Sequence, residues 1–239
     1  MAGSRDARPE SEATVGEQLL NGAEQAVDAI KPKLRGWLHA GMTPLVVVAS
    51  IVLVVLSPTT EATISTAVFG LTSVLLFGTS AVYHRGTWSP RVTGVLRRID
   101  HSNIFLIIAG SYTPLSVLLL PPSTARLLLA IVWTGAVLGL LGRVLWLGAP
   151  RWLYTPIYVV LGSVALGFLP QFAESGGLGV VWLVVGGGVA YIAGAVVYGI
   201  KRPNPSPRWF GFHEVFHALT VVGFTSHYVA VSIASYGSA

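Results

Sequence analysis

Seven apolar stretches, each about as long as a membrane-spanning helix, dominate this chain and leave it few possible folds. A helix needs about 20 mostly apolar residues to cross the hydrocarbon core of a bilayer. Only 10% of the 239 residues are charged, whereas soluble domains carry about 25%. The sequence therefore predicts an all-α bundle of seven transmembrane helices. The predicted spans are residues 37–56, 62–83, 99–119, 126–147, 152–170, 178–199 and 213–232.

The distribution of Lys and Arg predicts the orientation of the bundle, because cytoplasmic loops carry an excess of these residues. Of the 15 Lys and Arg residues, all but Arg126 fall before the first predicted span, in the links after the second, fourth and sixth spans, or, as Arg143 does, near the end of the fourth span that leads into such a link. This pattern predicts a cytoplasmic N-terminus and an external C-terminus, and we expect the protein to lie in the plasma membrane. Since topology accounts for the net charge of +5, we expect no nucleic-acid partner.

Residues 1–36 precede the spans and form a predicted cytoplasmic segment, and residues 37–235 form the predicted transmembrane domain. Thr14 and Glu17 have the spacing of a capping box, in which two side chains satisfy amides at a helix start. Apolar residues then recur at helical spacing as far as Ile30. This pattern favours a short amphipathic helix over 14–30, lying on the cytoplasmic membrane surface, over a disordered tail.

Ionisable side chains inside a membrane are costly, so each one marks a candidate functional site. The predicted topology brings the ends of the second, third and seventh spans to one cytoplasmic depth. These ends carry Ser80, His84, Asp100, His101, His213 and His217. Each histidine alone is better explained as an interfacial hydrogen-bonding side chain than as a metal ligand. Their coincidence at one depth favours a shared site.

The spacing of the histidines suits a metal ion. His213 and His217 are four residues apart and share one helix face. With His84 from another helix they offer three protein ligands and leave a fourth position for water, as in catalytic zinc sites. Asp100 is then placed to hold or deprotonate that water, and Ser80 to hydrogen-bond to a ligand or to the water. The chain has no cysteine, which excludes thiolate ligands.

Residues 213–217 also read H-E-x-x-H, the pattern of zinc metalloproteases in which the glutamate is the general base. Glu214 would hold that role, so an intramembrane metalloprotease is a rival interpretation. No acidic residue follows Glu214 in the chain. A protease would therefore have to take its third metal ligand from an earlier helix.

Three motifs in this order resemble the bacterial hemolysin III family, which is grouped with the progestin and adipoQ receptors, including the adiponectin receptors, and with alkaline ceramidases. The motifs are Ser80-Ala-Val-Tyr-His84, then Asp100-His101-Ser102 leading to Ala109-Gly-Ser-Tyr-Thr-Pro114, then His213-Glu-Val-Phe-His217. The resemblance covers about residues 31–235. It implies a seven-helix bundle with a cytoplasmic N-terminus, as the charges predict independently.

The resemblance also implies zinc near the cytoplasmic side, held by His84, His213 and His217. It implies a water-holding Asp100 and a Ser80 beside the site as the catalytic residues. The expected function is a zinc-dependent hydrolase of a lipid amide or ester, with a membrane lipid as substrate. The alternative is a membrane-homeostasis, sensor or pore-forming protein with structural zinc. Because H-E-x-x-H recurs in the bacterial branch, the protease becomes the lesser alternative.

Other polar and small residues receive simpler interpretations. His39 begins the first span, and we interpret it as an interfacial side chain in preference to a neighbour of the metal ligands. His227 lies in the opposite leaflet, where we expect it to bond a neighbouring helix. Small residues of the sixth span predict close helix packing. They are Gly186, Gly187, Gly188, Gly194 and Gly199.

Overall fold

The computed structural model describes residues 32–146 and 151–238. The amphipathic helix predicted over residues 14–30 lies outside these ranges. Within them the regular structure is helical, apart from one isolated bridge between Ser206 and Phe210. The described chain is therefore all-α, as the sequence predicts.

Seven α-helices and one 3₁₀ segment follow one another in the described ranges. In chain order they are α1 (Trp37–Val55), α2 (Thr60–Arg85), α3 (Pro90–Leu119), α4 (Pro122–Leu145), α5 (Arg151–Ser163), the 3₁₀ segment (Val164–Phe168), α6 (Leu169–Ile200) and α7 (Phe212–Tyr236). Six helical stretches in these ranges are long and apolar enough to cross a membrane. One of them, Leu153–Ile200, joins most of α5, the 3₁₀ segment and α6. The count of seven spans and the orientation stay predictions.

The stretch Leu153–Ile200 is not a uniform α-helix. Beyond its 3₁₀ segment, it contains one residue with non-helical geometry, Gly177, at φ 77° and ψ 167°. Positive φ of this kind is readily adopted by glycine, which has no Cβ. The sequence places the link between the fifth and sixth predicted spans at residues 171–177, and the helical backbone is interrupted at the end of that link.

Helix α3 is longer than its hydropathy predicts, because it begins at Pro90 and not at residue 99. The Ser89 side chain caps it by accepting a hydrogen bond from the Val92 amide, and Pro90 suits the first helical turn. An apolar window marks where a helix enters hydrocarbon, which need not be where the helix begins. Arg91, Arg97 and Arg98, predicted to lie in a link, are therefore helical. Asp100 accordingly lies in the third turn of α3 and not at its start.

Helix α3 is at the centre of the bundle and packs against α2, α4, α5, α6 and α7. Its apolar window is 72% buried, whereas those of α1 and α4 are only 22% buried. The outer faces of α1 and α4 expose large apolar side chains such as Val55 and Leu145. Apolar exposure of this kind is expected where a helix faces lipid. The residues of α3 are therefore the ones best placed to line an internal site.

Small residues bring α6 and α7 into close contact. A Cβ on Gly187 would lie 2.4 Å from Cδ2 of His227, and a Cβ on Gly194 would lie 3.2 Å from the Phe216 ring. From the other side, a Cβ on Gly223 would lie 3.0 Å from the Gly187 carbonyl oxygen. Close packing is thus confirmed for two of the five predicted glycines. Three have nothing within 4 Å of a built Cβ, namely Gly186, Gly188 and Gly199.

A tyrosine of α3 satisfies the backbone where α5 gives way to the 3₁₀ segment. The Tyr112 hydroxyl donates to the Gly162 carbonyl at 2.8 Å, and the Ala165 amide donates to the Tyr112 oxygen at 2.7 Å. A change from α to 3₁₀ geometry removes some α-helical partners, and unsatisfied backbone groups are costly in an apolar medium. Tyr112 therefore ties this break in the helix to the central helix.

Candidate metal centre

Three histidines from α2 and α7 converge. One ring nitrogen from each of His84, His213 and His217 lies within 4.8 Å of the other two. The Nε2 atoms of His84 and His213 are 3.2 Å apart. The rings of His213 and His217 lie on successive turns of α7, with centroids 4.5 Å apart. The three predicted ligands therefore form one cluster.

The ends of two helices explain why these rings meet. Helix α2 ends at Arg85, so His84 lies in its last turn. Helix α7 begins at Phe212, so His213 and His217 lie in its first two turns. A helix end next to a helix start lets side chains reach one point from different directions.

The cluster fits a zinc ion. Zn–N bonds of about 2.0–2.1 Å in tetrahedral geometry place two ligand nitrogens about 3.3 Å apart, and the closest pair in the cluster is 3.2 Å apart. The three candidate ligand nitrogens all lie within 4.8 Å of one another. His84 and His217 are both buried, and imidazole is a preferred zinc ligand. Three such ligands leave the fourth position open.

Asp100 and Ser80 lie beside the cluster. Oδ2 of Asp100 is 4.0 Å from Nε2 of His84 and 3.6 Å from Nδ1 of His101. The first distance exceeds a direct hydrogen bond, and such gaps between polar groups are often bridged by water. Ser80, one turn before His84 on α2, is buried and lines the same cavity as Asp100. The structure thus brings all five predicted site residues together.

His101 is turned towards the backbone and a tyrosine. Its Nδ1 lies 2.7 Å from the Arg97 carbonyl oxygen, and its Nε2 lies 3.2 Å from the Tyr198 hydroxyl. Because a carbonyl oxygen only accepts, Nδ1 carries the proton and Nε2 accepts from Tyr198. His101 therefore neighbours Asp100 without belonging to the three-histidine cluster.

Both carboxylate oxygens of Glu214 are engaged away from the cavity. Oε1 forms an ion pair with Arg35, and Oε2 accepts from the Gly211 amide at 2.8 Å, which caps α7. The side chain is 1% exposed and does not line the cavity described below. A general base must reach the proton that it removes. The partners of Glu214 therefore weigh against the metalloprotease interpretation.

His39 joins the site, although we interpreted it as interfacial from the sequence. Its ring stacks on His217 with centroids 3.8 Å apart and planes 7° apart, and it is 2% exposed. The contact joins the first helix to the last, which no local pattern indicates. The expectation for His227 is confirmed, since its Nε2 lies 3.1 Å from the Val184 carbonyl oxygen on α6.

A cavity of about 290 Å³ lies beside the cluster. It follows α7 from His213 to His227, which corresponds to about 21 Å at 1.5 Å per residue. Its walls come mainly from α3, α5, the 3₁₀ segment, α6 and α7, and most lining side chains are apolar. Apart from His227, its histidines and its one carboxylate belong to the cluster end.

Comparison with known proteins agrees with the motifs. The profile of the family described as Haemolysin-III related matches residues 27–228. The Hemolysin-3 homolog of Bacillus subtilis (strain 168) is 29% identical over 169 residues, covering 70% of this chain and 76% of that protein. Hemolysin-3 of Bacillus cereus is 30% identical over 141 residues, covering 59% of this chain and 64% of that protein. The family that the three motifs predict is confirmed, and the chain belongs to the haemolysin-III related family.

Proposed function

We propose that this protein is a zinc-dependent hydrolase that cleaves a lipid amide or ester in the plasma membrane. One observation carries the proposal: three clustered imidazoles and a carboxylate lie at one end of a largely apolar cavity. Pockets of this kind, with few polar groups at one end of an apolar space, are typical of sites for amphipathic ligands.

The metal would be held by His84, His213 and His217. Bound there, zinc would supply Lewis-acid chemistry, acidifying a water molecule and polarising a carbonyl oxygen. The 3.2 Å separation of two of the nitrogens and the histidine-only donor set support zinc over the hard cations, which prefer oxygen ligands.

Asp100 is the proposed general base. Its Oδ2 lies 4.0 Å from the nearest cluster nitrogen, a gap suited to a bridging water. Asp100 accepts a proton from the attacking water and later returns it to the leaving group. Ser80, which lines the same cavity as Asp100, is the residue proposed to orient the carboxylate by hydrogen bonding.

The cavity is the proposed site for the acyl chain of the substrate. Its walls are mostly apolar along about four turns of α7, and apart from His227 its histidines and its one carboxylate lie at the end where the reacting carbonyl must be placed. Burial of a hydrocarbon chain there contributes about 0.8 kcal/mol per CH₂. Binding of the chain would hold the carbonyl beside Asp100.

The proposed topology has seven spans with the N-terminus in the cytoplasm. The stretch Leu153–Ile200 has 48 residues, about 72 Å as an α-helix, whereas the hydrocarbon core is about 30 Å thick. The interruption at Gly177 supports dividing this stretch into two spans. The distribution of Lys and Arg supports the orientation.

A non-enzymatic role is the second candidate, favoured by the names of the relatives. Both are described as hemolysins, so a pore-forming or membrane-homeostasis protein with structural zinc is the alternative. The two candidate functions predict the same zinc content, but only the hydrolase predicts turnover of a lipid.

The deciding experiment measures zinc in the purified protein and then hydrolysis of lipid amides and esters, with and without a chelator. We expect zinc-dependent release of a fatty acid. Bound zinc without turnover of any lipid, together with lysis of vesicles by the protein, would favour the non-enzymatic role.

A further inference from the structure

We infer that residues 32–36, here named the clamp segment, are a positioning part of the metal centre, held by the ion pair between Arg35 and Glu214. The clamp segment precedes α1 and touches both helices that carry the clustered histidines. The inference rests on the proposed zinc site and assigns Glu214 a role in positioning its ligands, in place of a role in the chemistry.

On the α7 side, an ion pair and two backbone hydrogen bonds hold the clamp segment. The Arg35 guanidinium forms an ion pair with Glu214, the residue next to His213. The Lys33 amide donates to the Arg208 carbonyl at 3.0 Å, and the Leu34 amide donates to the Trp209 carbonyl at 3.2 Å. These contacts fix the segment against the loop that leads directly into α7.

The ion pair is nearly buried, so each charge depends on the other for its stabilisation. The Glu214 side chain is 1% exposed and the Arg35 side chain is 20% exposed. Removing one partner of a buried pair is strongly destabilising, because it leaves an uncompensated charge. Since Glu214 also caps α7 through the Gly211 amide, a displaced carboxylate disturbs the turn that carries His213.

On the α2 side, the clamp segment lies against His84. Gly36 has φ 81°, and a Cβ built on it would lie 2.6 Å from the Cβ of His84. Only glycine combines this backbone geometry with so close an approach. The backbone of the clamp segment therefore supports the last turn of α2 at the residue that carries a proposed ligand.

Contact with both helix ends gives the clamp segment a positioning function. His84 and His213 belong to different helices, and their Nε2 atoms must stay close enough to share one ion. Groups that orient metal ligands typically change metal affinity by about 10- to 100-fold when they are removed. Coupling of this kind is reciprocal, so zinc binding must also tighten the clamp segment.

The test compares zinc affinity among variants of the full-length protein, purified in detergent and titrated against a zinc-chelating fluorophore. Arg35→Gln and Glu214→Gln should each weaken zinc binding about 10- to 100-fold. Arg35→Lys, which keeps the charge, should lose less. Arg126→Gln is the matched control: Arg126 is exposed on α4, which lies outside the cluster and the clamp segment, and its loss should leave zinc affinity unchanged.

A second measurement follows hydrogen exchange in the wild-type protein. Removal of zinc by a chelator should raise deuterium uptake in residues 32–36 and 206–211 more than in α4, which lies outside the cluster. At saturating zinc, Glu214→Gln should regain lipid hydrolysis, because the carboxylate takes no part in proton transfer.

The outcomes are distinct. Wild-type protein that binds no zinc overturns the proposed function and the clamp inference together. If the wild-type protein binds zinc, and folded Arg35→Gln and Glu214→Gln bind it with the same affinity, the clamp inference alone is overturned. Activity that stays lost in zinc-saturated Glu214→Gln also overturns it, since the glutamate would then act in the chemistry. If neither variant folds, the pair serves stability and the inference is wrong.

Discussion

The Nε2 atoms of His84 and His213 lie 3.2 Å apart, although 129 positions separate the two residues in the sequence. The last turn of α2 and the first turn of α7 meet there, and the third histidine follows one turn later. Two helix ends, each with its own capping requirements, thus determine the geometry of the cluster. Variants at the cluster, at its neighbours and at the helix contacts behind it test this arrangement separately.

The first prediction concerns the metal. His84→Ala, His213→Ala and His217→Ala should each remove most of the zinc from the purified protein, because two imidazoles hold the ion less tightly than three. Elemental analysis of protein purified in detergent measures the zinc-to-chain ratio. His227→Ala is the control, since His227 bonds Val184 outside the cluster. Full zinc retention in His213→Ala would falsify the ligand assignment.

The second prediction concerns the proposed base. Asp100→Asn should keep its zinc but lose about 10²- to 10⁴-fold in the rate of lipid hydrolysis, because asparagine retains the shape of aspartate but accepts no proton. Zinc content and turnover are measured on the same preparation. Retained turnover in Asp100→Asn, combined with loss in zinc-saturated Glu214→Gln, would instead assign the base to Glu214 and revive the metalloprotease interpretation.

The third prediction concerns topology. A reporter that works only outside the cytoplasm should be active when it is fused after the C-terminus. A reporter that works only in the cytoplasm should be active when it is inserted in the link 86–89. The reason is the nearly complete restriction of Lys and Arg to one set of links. An active cytoplasmic reporter at the C-terminus contradicts this orientation and would place an even number of spans before it.

The fourth prediction concerns the contact between α6 and α7. Gly187→Ala should lower the free energy of unfolding by about 1–3 kcal/mol, because the added Cβ would lie 2.4 Å from the His227 ring and overpack the interface. Thermal unfolding in detergent measures the change. Gly186→Ala is the matched control, since its Cβ would meet nothing within 4 Å. Equal effects of the two variants would show that this contact is not tightly packed.

Much of the candidate site was predictable, because its residues are rare in membrane helices and share one depth. His84, Asp100 and His213 needed only the span boundaries and the orientation to be placed together. Four-residue spacing placed His217 beside His213 without any tertiary information. Polar residues in apolar helices are therefore informative even when the substrate is unknown.

The parts that sequence reasoning missed depend on contacts between distant segments. The stacking of His39 on His217 joins the first and last helices, and the pairing of Arg35 with Glu214 spans 179 positions. Neither the hydrophobic periodicity nor the residue spacing within one helix indicates contacts between segments this far apart in the sequence. The start of α3 at Pro90 was missed for another reason: hydropathy identifies the part of a helix in lipid, whereas Ser89 and Pro90 are the signals for where the helix begins.

The hydrogen bonds of Tyr112 restrict how a lipid can reach the cavity from the surrounding bilayer. Parting α3 from α5 at this level would break the bonds of Tyr112 to the Gly162 carbonyl and the Ala165 amide in a medium without water, where each unsatisfied group costs several kcal/mol. A lateral portal between these two helices is therefore strongly disfavoured. Tyr112 thus holds α3 and α5 together at this level, and the proposed lipid substrate would have to enter between other helices of the bundle.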